Sequence, residues 1–120
     1  ANMICAVGAT PVFCDIVGNG DLNLDLEDVA AALTPRTRAV LPVHYGGYPC
    51  DMDGLTALCE DSGLVLIEDA AHAPGAVVGG RRLGSIGDVV EPNSLVRAML
   101  LLPSWIDGGF SPWSSSGHPR

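Results

Sequence analysis

Lysine is absent from this sequence. All six basic residues are arginines: Arg36, Arg38, Arg81, Arg82, Arg97 and Arg120. The absence excludes from this chain any mechanism built on a lysine, whether as Schiff-base partner, phosphate-loop cation or general base. Cations of every kind are few, and 14 acidic side chains leave a formal net charge of -8. Nucleic acid and anionic membrane are therefore poor partners, because phosphate binding needs clustered positive charge. Aromatic residues are also scarce, at 5%. Apolar residues reach 48%, so a core is affordable, and the dominance of Ala, Val, Leu and Gly suits helices packed closely on a buried sheet. No apolar run approaches the roughly 20 residues of a membrane span; the patch at residues 98–102 is far too short. No basic-then-apolar leader opens the chain, and we read its start at Ala1 as a cut edge inside a longer protein. At 120 residues the chain is one domain at most, or a piece of one.

Cysteine is present but in no arrangement that signals a metal or redox motif. Cys5, Cys14, Cys50 and Cys59 include no pair at C-x-x-C spacing. Cys14 lies in an apolar run and Cys59 on a helical pattern, so both read as small buried hydrophobes. Free thiols point to a reducing, cytoplasmic setting, and no metal site is expected.

The pattern of elements follows from hydrophobic spacing. Residues 11–16 (PVFCDI) read as a short buried strand, and residues 17–23 as a loop. Asp25 fits a helix N-cap with Asp28 three residues on, and Leu26, Val29, Ala30 and Leu33 follow on one apolar face. Thr34-Pro35 stops that helix. Residues 39–43 (AVLPV) form a second strand, with the loop His44-Tyr45-Gly46-Gly47 at its C-terminal end. Asp51 or Asp53 caps the next helix, Leu55, Leu58 and Cys59 face inward, and Ser62-Gly63 closes it. Residues 64–67 (LVLI) form a third strand, apolar throughout, running straight into Glu68-Asp69-Ala70-Ala71-His72. Strand, helix, strand, helix, strand at short spacing is a right-handed βαβαβ pattern. Strands without polar alternation are covered on both faces, as parallel strands are. The fold class is α/β, with ligands expected at the strands' C-terminal ends, where His44 and Asp69 stand. Residues 76–78 and 82–83, around Gly79-Gly80, read as a small hairpin, and a further strand begins at Asp88. Beyond residue 90 the periodicity is lost. Residues 91–120 carry four prolines (Pro92, Pro103, Pro112 and Pro119), both tryptophans and a Ser-rich run. They read as a disordered tail, with a brief helical stretch at residues 95–102.

The segment with most chemical promise is Glu68-Asp69-Ala70-Ala71-His72-Ala73. A carboxylate at the end of a buried strand is costly unless it meets a cation or donor. Small residues at 70, 71 and 73 leave room for a flat ligand, and a pyridinium nitrogen is one cation that would suit. Spacing alone favours a plainer role, with Asp69 capping a turn and His72 a satisfied, semi-buried histidine.

Six ordered pieces alter that weighting. They are Gly8-Ala9-Thr10-Pro11-Val12-Phe13-Cys14-Asp15, Thr34-Pro35-Arg36-Thr37-Arg38-Ala39-Val40, Pro42-Val43-His44-Tyr45-Gly46, Asp51-Met52-Asp53, Ile67-Glu68-Asp69-Ala70-Ala71-His72-Ala73 and Gly84-Ser85-Ile86-Gly87-Asp88. Together they make the chain resemble, from Asn2 to Val90, the DegT/DnrJ/StrS family of pyridoxal-phosphate-dependent sugar aminotransferases. The resemblance implies a three-layer αβα sandwich with a mostly parallel sheet, of which residues 1–90 form part of the large, cofactor-binding domain of a type I aminotransferase. It implies pyridoxal 5'-phosphate as cofactor, a nucleotide-sugar substrate, an amino donor and a homodimeric cytoplasmic parent. By position, Asp69 looks like the partner of the pyridinium nitrogen, and His72 stands beside the ring. His44 lies in a motif close to the site and is assigned no catalytic role, a structural loop histidine being at least as good a reading; Arg36, Arg81 and Arg82 read as solvated surface charges.

The resemblance ends abruptly at Val90. The family continues with a Phe-Ser-Phe strand, whose serine helps bind the cofactor phosphate, and then with the Schiff-base lysine. Here Pro92-Asn93-Ser94 replace the strand and the lysine position falls at Ala98. No residue of this chain is thus assigned as catalytic, and covalent attachment of the cofactor through lysine is excluded. An abrupt end, unlike gradual drift, is expected of a frameshift in the coding sequence or of a damaged gene copy. Two other readings stand beside an inactive aminotransferase fragment. One is a pyridoxamine-phosphate-dependent sugar dehydratase of the same family, in which histidine replaces the lysine; Ala98 does not fit it. The other is a non-catalytic remnant or small binding module.

Overall fold

The computed structural model describes residues 1–91. Ala98, the 95–102 stretch and residues 92–120 of the expected disordered tail lie outside them; Glu91, expected to open that tail, lies in a strand. A short helix, α1 (Asn2–Ala6), opens the chain. The hairpin β1 (Ile16–Gly18) and β2 (Asp21–Leu24) follows, then α2 (Leu26–Ala32) and β3 (Ala39–Val40). A single 3-10 turn covers Tyr45–Gly47 and leads into α3 (Met52–Ser62). The chain then forms β4 (Val65–Asp69), the small hairpin β5 (Val77–Val78) and β6 (Arg81–Arg82), and β7 (Val89–Glu91).

The central sheet is parallel, in the order β3-β4-β7. Ala39 pairs with Val65 and Val40 with Leu66 on one side of β4. Ile67, Glu68 and Asp69 pair with Val89, Val90 and Glu91 on the other. A lone parallel bridge between Val43 and Asp69 extends the first pairing beyond β3. Its N–H groups explain the register: Asp69 donates to the Pro42 carbonyl at 3.0 Å, and His44 donates to the Asp69 carbonyl at 3.1 Å. Pro42 itself has no N–H to give, so regular pairing lapses around it.

The helices start and stop as their capping residues dictate. The Asp25 carboxylate accepts from the Glu27 and Asp28 N–H groups, and the Asp51 carboxylate accepts from Gly54 N–H at 3.0 Å. Gly63 ends α3 in the left-handed conformation, at φ 64°, where a side chain would be strained. Leu55 and Cys59 face inward from α3 as expected. They join Val29, Val40, Met52, Leu66, Ala70, Ala73 and Leu83 in one core.

Two expectations fail in residues 11–23. Only Ile16 of the expected buried strand at 11–16 lies in a strand, and Val12 and Phe13 are 70% and 79% exposed. Side chains replace the ladder there: Asp15 N–H donates to the Asp28 carboxylate at 2.7 Å, and Ile16 N–H to the Asp15 carboxylate at 2.8 Å. The third strand of the parallel sheet is β7 instead. The expected loop at 17–23 is mostly strand, turning at Asn19-Gly20 between Gly18 and Asp21. Asn-Gly is the strongest short hairpin signal. Cys14, expected to be buried, is only half-buried.

Candidate functional site

The site grows from the end of β4. Successive strand residues point to opposite faces, so the adjacent carboxylates Glu68 and Asp69 part company. Glu68 is turned inward with no exposed surface, whereas Asp69 is half-buried at the strand's C-terminal end.

The buried Glu68 carboxylate is fully engaged. Its Oε1 accepts from Gly84 N–H at 2.6 Å and lies 3.0 Å from Nε2 of His44. Its Oε2 accepts from Ile86 N–H at 2.8 Å and Gly87 N–H at 2.9 Å. Burial pushes this carboxyl up, but the N–H groups of Gly84 and Gly87, the His44 ring and the Ile86 N–H together outweigh burial and hold it below its ordinary value. His44 is equally buried, and Cys50 N–H donates to its Nδ1 at 3.1 Å. With Nδ1 accepting, Nε2 carries the hydrogen and donates to Glu68. His44 is thus a structural histidine that ties the loop after β3 to the end of β4.

Two neighbours complete this frame. Asp88 accepts from Leu66 N–H at 2.9 Å, fastening the 84–88 segment to β4 a second time. Asn23, 4% exposed, donates from Nδ2 to the Pro49 carbonyl at 3.0 Å and accepts from Tyr45 N–H at 3.3 Å. Burial pushes the Cys50 thiol up to about 11, well outside the range of a reactive thiolate.

Asp69 and His72 sit on the outer side of this frame. The Asp69 Oδ1 accepts from Ala71 N–H at 3.0 Å, forming a local turn. Its Oδ2 has no hydrogen-bond partner among the described residues. Ala73 N–H donates to the Ala70 carbonyl at 2.9 Å, so the chain turns at once and brings His72 back near the strand end. His72 is exposed, not semi-buried, and its ring meets Tyr45 edge to face, with centroids 5.9 Å apart and planes at 69°. Of the small residues expected to make room for a ligand, Ala70 and Ala73 belong to the core, and only Ala71 is exposed. Arg36 and Arg82 are exposed as expected; Arg81 also pairs with Asp53 across the surface. Among the described residues no group of three or more His, Cys, Asp or Glu side chains is placed to hold a metal, and no helix is long and apolar enough to cross a membrane.

Sequence reasoning missed Glu68 and Asn23. A signal for Glu68 existed, since two consecutive carboxylates ending a strand covered on both faces require one of them to be buried and bonded. Nothing in the sequence pointed to Asn23.

The carboxylate and the exposed ring thus stand beyond the C-terminal end of a parallel strand, the place where open α/β sheets bind their ligands. Residues 1–91 match the model of the DegT/DnrJ/EryC1/StrS aminotransferase family, and the chain belongs to that family. It is 53% identical over 88 residues to the spore coat polysaccharide biosynthesis protein SpsC of Bacillus subtilis, a match covering 73% of this chain and 22% of SpsC. The fold is similar to that of DesI, whose structure was solved in the presence of its TDP-sugar product. There the TM-score is 0.65 at 49% identity, over 71% of this chain and 21% of DesI. It is similar also to Spr1654 from Streptococcus pneumoniae in its PLP form, with TM-score 0.64 at 30% identity, over 71% of this chain and 25% of that one. The chain spans between a fifth and a quarter of the length of these relatives.

Proposed function

We propose that this chain carries one wall of the cofactor site of a pyridoxal-phosphate-dependent aminotransferase acting on a keto-sugar nucleotide. The observation that carries the reading is Asp69: a carboxylate at the C-terminal end of a central parallel strand, one oxygen satisfied by Ala71 N–H and the other without a hydrogen-bond partner among the described residues. These residues fit a pyridine ring. Asp69 offers an acceptor for a ring N–H, and His72 offers an exposed flat surface three residues away. They supply no covalent anchor, because the chain has no lysine. When bound, the cofactor supplies an electron sink for bond breaking next to an amino nitrogen. Asp69 would accept from the ring nitrogen and favour its protonated form, and His72 would offer its imidazole to the ring.

The parent's fold in this reading is a three-layer αβα sandwich, and residues 1–90 are a part of its large domain. The parent is a cytoplasmic homodimer that takes a nucleotide sugar and an amino donor. Similarity to DesI, solved with a TDP-sugar product, supports the substrate class, and similarity to Spr1654 in its PLP form supports the cofactor. This chain alone is inactive as a transaminase. In this reading residues 91–120 come from a shifted reading frame, and the end of the family match at residue 91 is what supports it. Translating the DNA in its other two frames checks that point: a Phe-Ser-Phe strand followed by a lysine is expected in one of them, and its absence from both refutes it.

The cofactor reading is tested by titrating 4'-deoxypyridoxine 5'-phosphate, which has no aldehyde to label the Ala1 amine, into the full chain. Asp69→Asn keeps an acceptor for Ala71 N–H but removes the charge. It is expected to bind at least about tenfold more weakly, the weight of a hydrogen bond to a charged partner. Equal affinity of the two proteins would reject Asp69 as the ring-nitrogen partner.

A further inference from the structure

The contact between Tyr45 and His72 has no part in the core. Both side chains are on the surface, and Tyr45 is 53% exposed, yet their rings meet edge to face at 5.9 Å between centroids. That separation lies within the range of favourable aromatic pairs. Exposed rings ordinarily sample several rotamers, so a fixed contact needs a fixed backbone on both sides.

The backbone is fixed on both sides. On the Tyr45 side, the preceding residue is His44, locked through both ring nitrogens. Tyr45 N–H is held by the buried Asn23 Oδ1 at 3.3 Å, and Tyr48 N–H closes the 3-10 turn on the Tyr45 carbonyl at 3.1 Å. On the His72 side, the Asp69 carboxylate and the Ala70 carbonyl hold the turn. The two loops also touch directly. A Cβ on Gly47 would lie 3.1 Å from the His72 carbonyl oxygen, and Gly47 has φ 86°, so the residue facing His72 is one that has no side chain to push it away.

We infer that Tyr45 is a positioning residue, whose ring holds the His72 imidazole in one orientation at the turn that follows Asp69. This deepens the cofactor reading and rests on it for the purpose of the arrangement, though not for the contact itself. Asn23 and His44 act one step back, by placing the Tyr45 backbone. The contact is made by the aromatic ring, so the phenolic hydroxyl is dispensable.

The test uses the full chain with Tyr45→Phe and Tyr45→Leu, and reads the imidazole resonances by NMR, with His72→Gln for assignment. The buried His44 ring is the internal control for an intact fold. In the wild type and Y45F, the His72 ring protons are expected to be displaced by the neighbouring aromatic ring and to show cross-relaxation with it. In Y45L they should move to the positions of a free histidine while those of His44 stay put. Unchanged His72 resonances in Y45L would overturn the inference. A second arm measures 4'-deoxypyridoxine 5'-phosphate binding. Y45L is expected to bind about threefold to tenfold more weakly, the weight of one aromatic pair, and Y45F like the wild type. Equal weakening by Y45F and Y45L would overturn a role for the ring. Failure of the wild type to bind the probe would reject the cofactor reading, and the resonances would still decide whether Tyr45 fixes His72.

Discussion

The Nε2–H of His44 donates to Oε1 of Glu68 at 3.0 Å, and neither side chain has any exposed surface. Around that bond three stretches that lie far apart in the sequence become one object. His44 brings the Pro42-Val43-His44-Tyr45-Gly46 loop, Glu68 brings the end of β4, and the N–H groups of Gly84, Ile86 and Gly87 bring the turn before β7. The chemistry proposed for Asp69 and His72 depends on this knot only indirectly, through the backbone it fixes.

The Glu68 carboxyl gives the fold a definite response to acid. Its folded-state value is held below the ordinary 4.5, so the stability it contributes is complete above the unfolded value and is lost as pH falls through the folded one. Denaturant unfolding of the wild type and Glu68→Gln should therefore differ most at neutral pH, with the gap narrowing below about pH 4.5. A gap that stays constant down to pH 3 would show that Glu68 is not ionised in the knot.

Gly87 is needed for close approach. A Cβ there would stand 2.8 Å from the Leu66 carbonyl oxygen and 2.9 Å from the Glu68 Cβ. The first obstacle is strand backbone and cannot swing aside. Gly87→Ala is expected to destabilise the fold by about 2 kcal/mol, in the range of overpacked sites, measured as a shift in the unfolding midpoint. An unchanged midpoint would mean that the 84–88 turn is not seated on β4.

The thiols should react in an order set by burial. Cys5 is exposed, Cys14 half-buried, and Cys50 and Cys59 buried. Burial also pushes Cys14, Cys50 and Cys59 above the ordinary thiol value, Cys50 to about 11. Alkylation at pH 8, followed by peptide mass mapping, should modify Cys5 first and Cys50 only on unfolding. Early labelling of Cys50 would contradict its placement against the Asn23 and Val43 oxygens.

Much of the fold could be read where local chemistry decides it. Asp25, Asp51 and Gly63 cap helices for reasons that lie within a few residues of each. The strands at 39–43 and 64–67 were recognisable as apolar runs, though regular pairing in the first lapses after Val40 and the second extends to Asp69. Residues 11–16 misled because an apolar run is a strand only where a neighbour can pair with it. Asp15 and Asp28 take its backbone bonds instead. At the site, Asp69 and His72 were identified from the resemblance, and the structure puts them at one end of β4. Glu68 was not singled out, because two carboxylates in a row look alike until strand pairing shows which one faces inward. Nor could spacing reveal that Tyr45, 27 positions before His72 in the chain, would be its neighbour.

The most direct test of the knot is a double-mutant cycle on its central bond. Unfolding free energies of the full chain would be measured at pH 7 for the wild type, His44→Gln, Glu68→Gln and the double variant. Each single substitution is expected to cost about 3 kcal/mol, because it leaves a buried polar group without its partner. The double variant should cost clearly less than the two added together, leaving a coupling of about 1 kcal/mol or more. Costs that simply add would mean that His44 and Glu68 stabilise the fold independently, which would contradict the bond that joins the three segments.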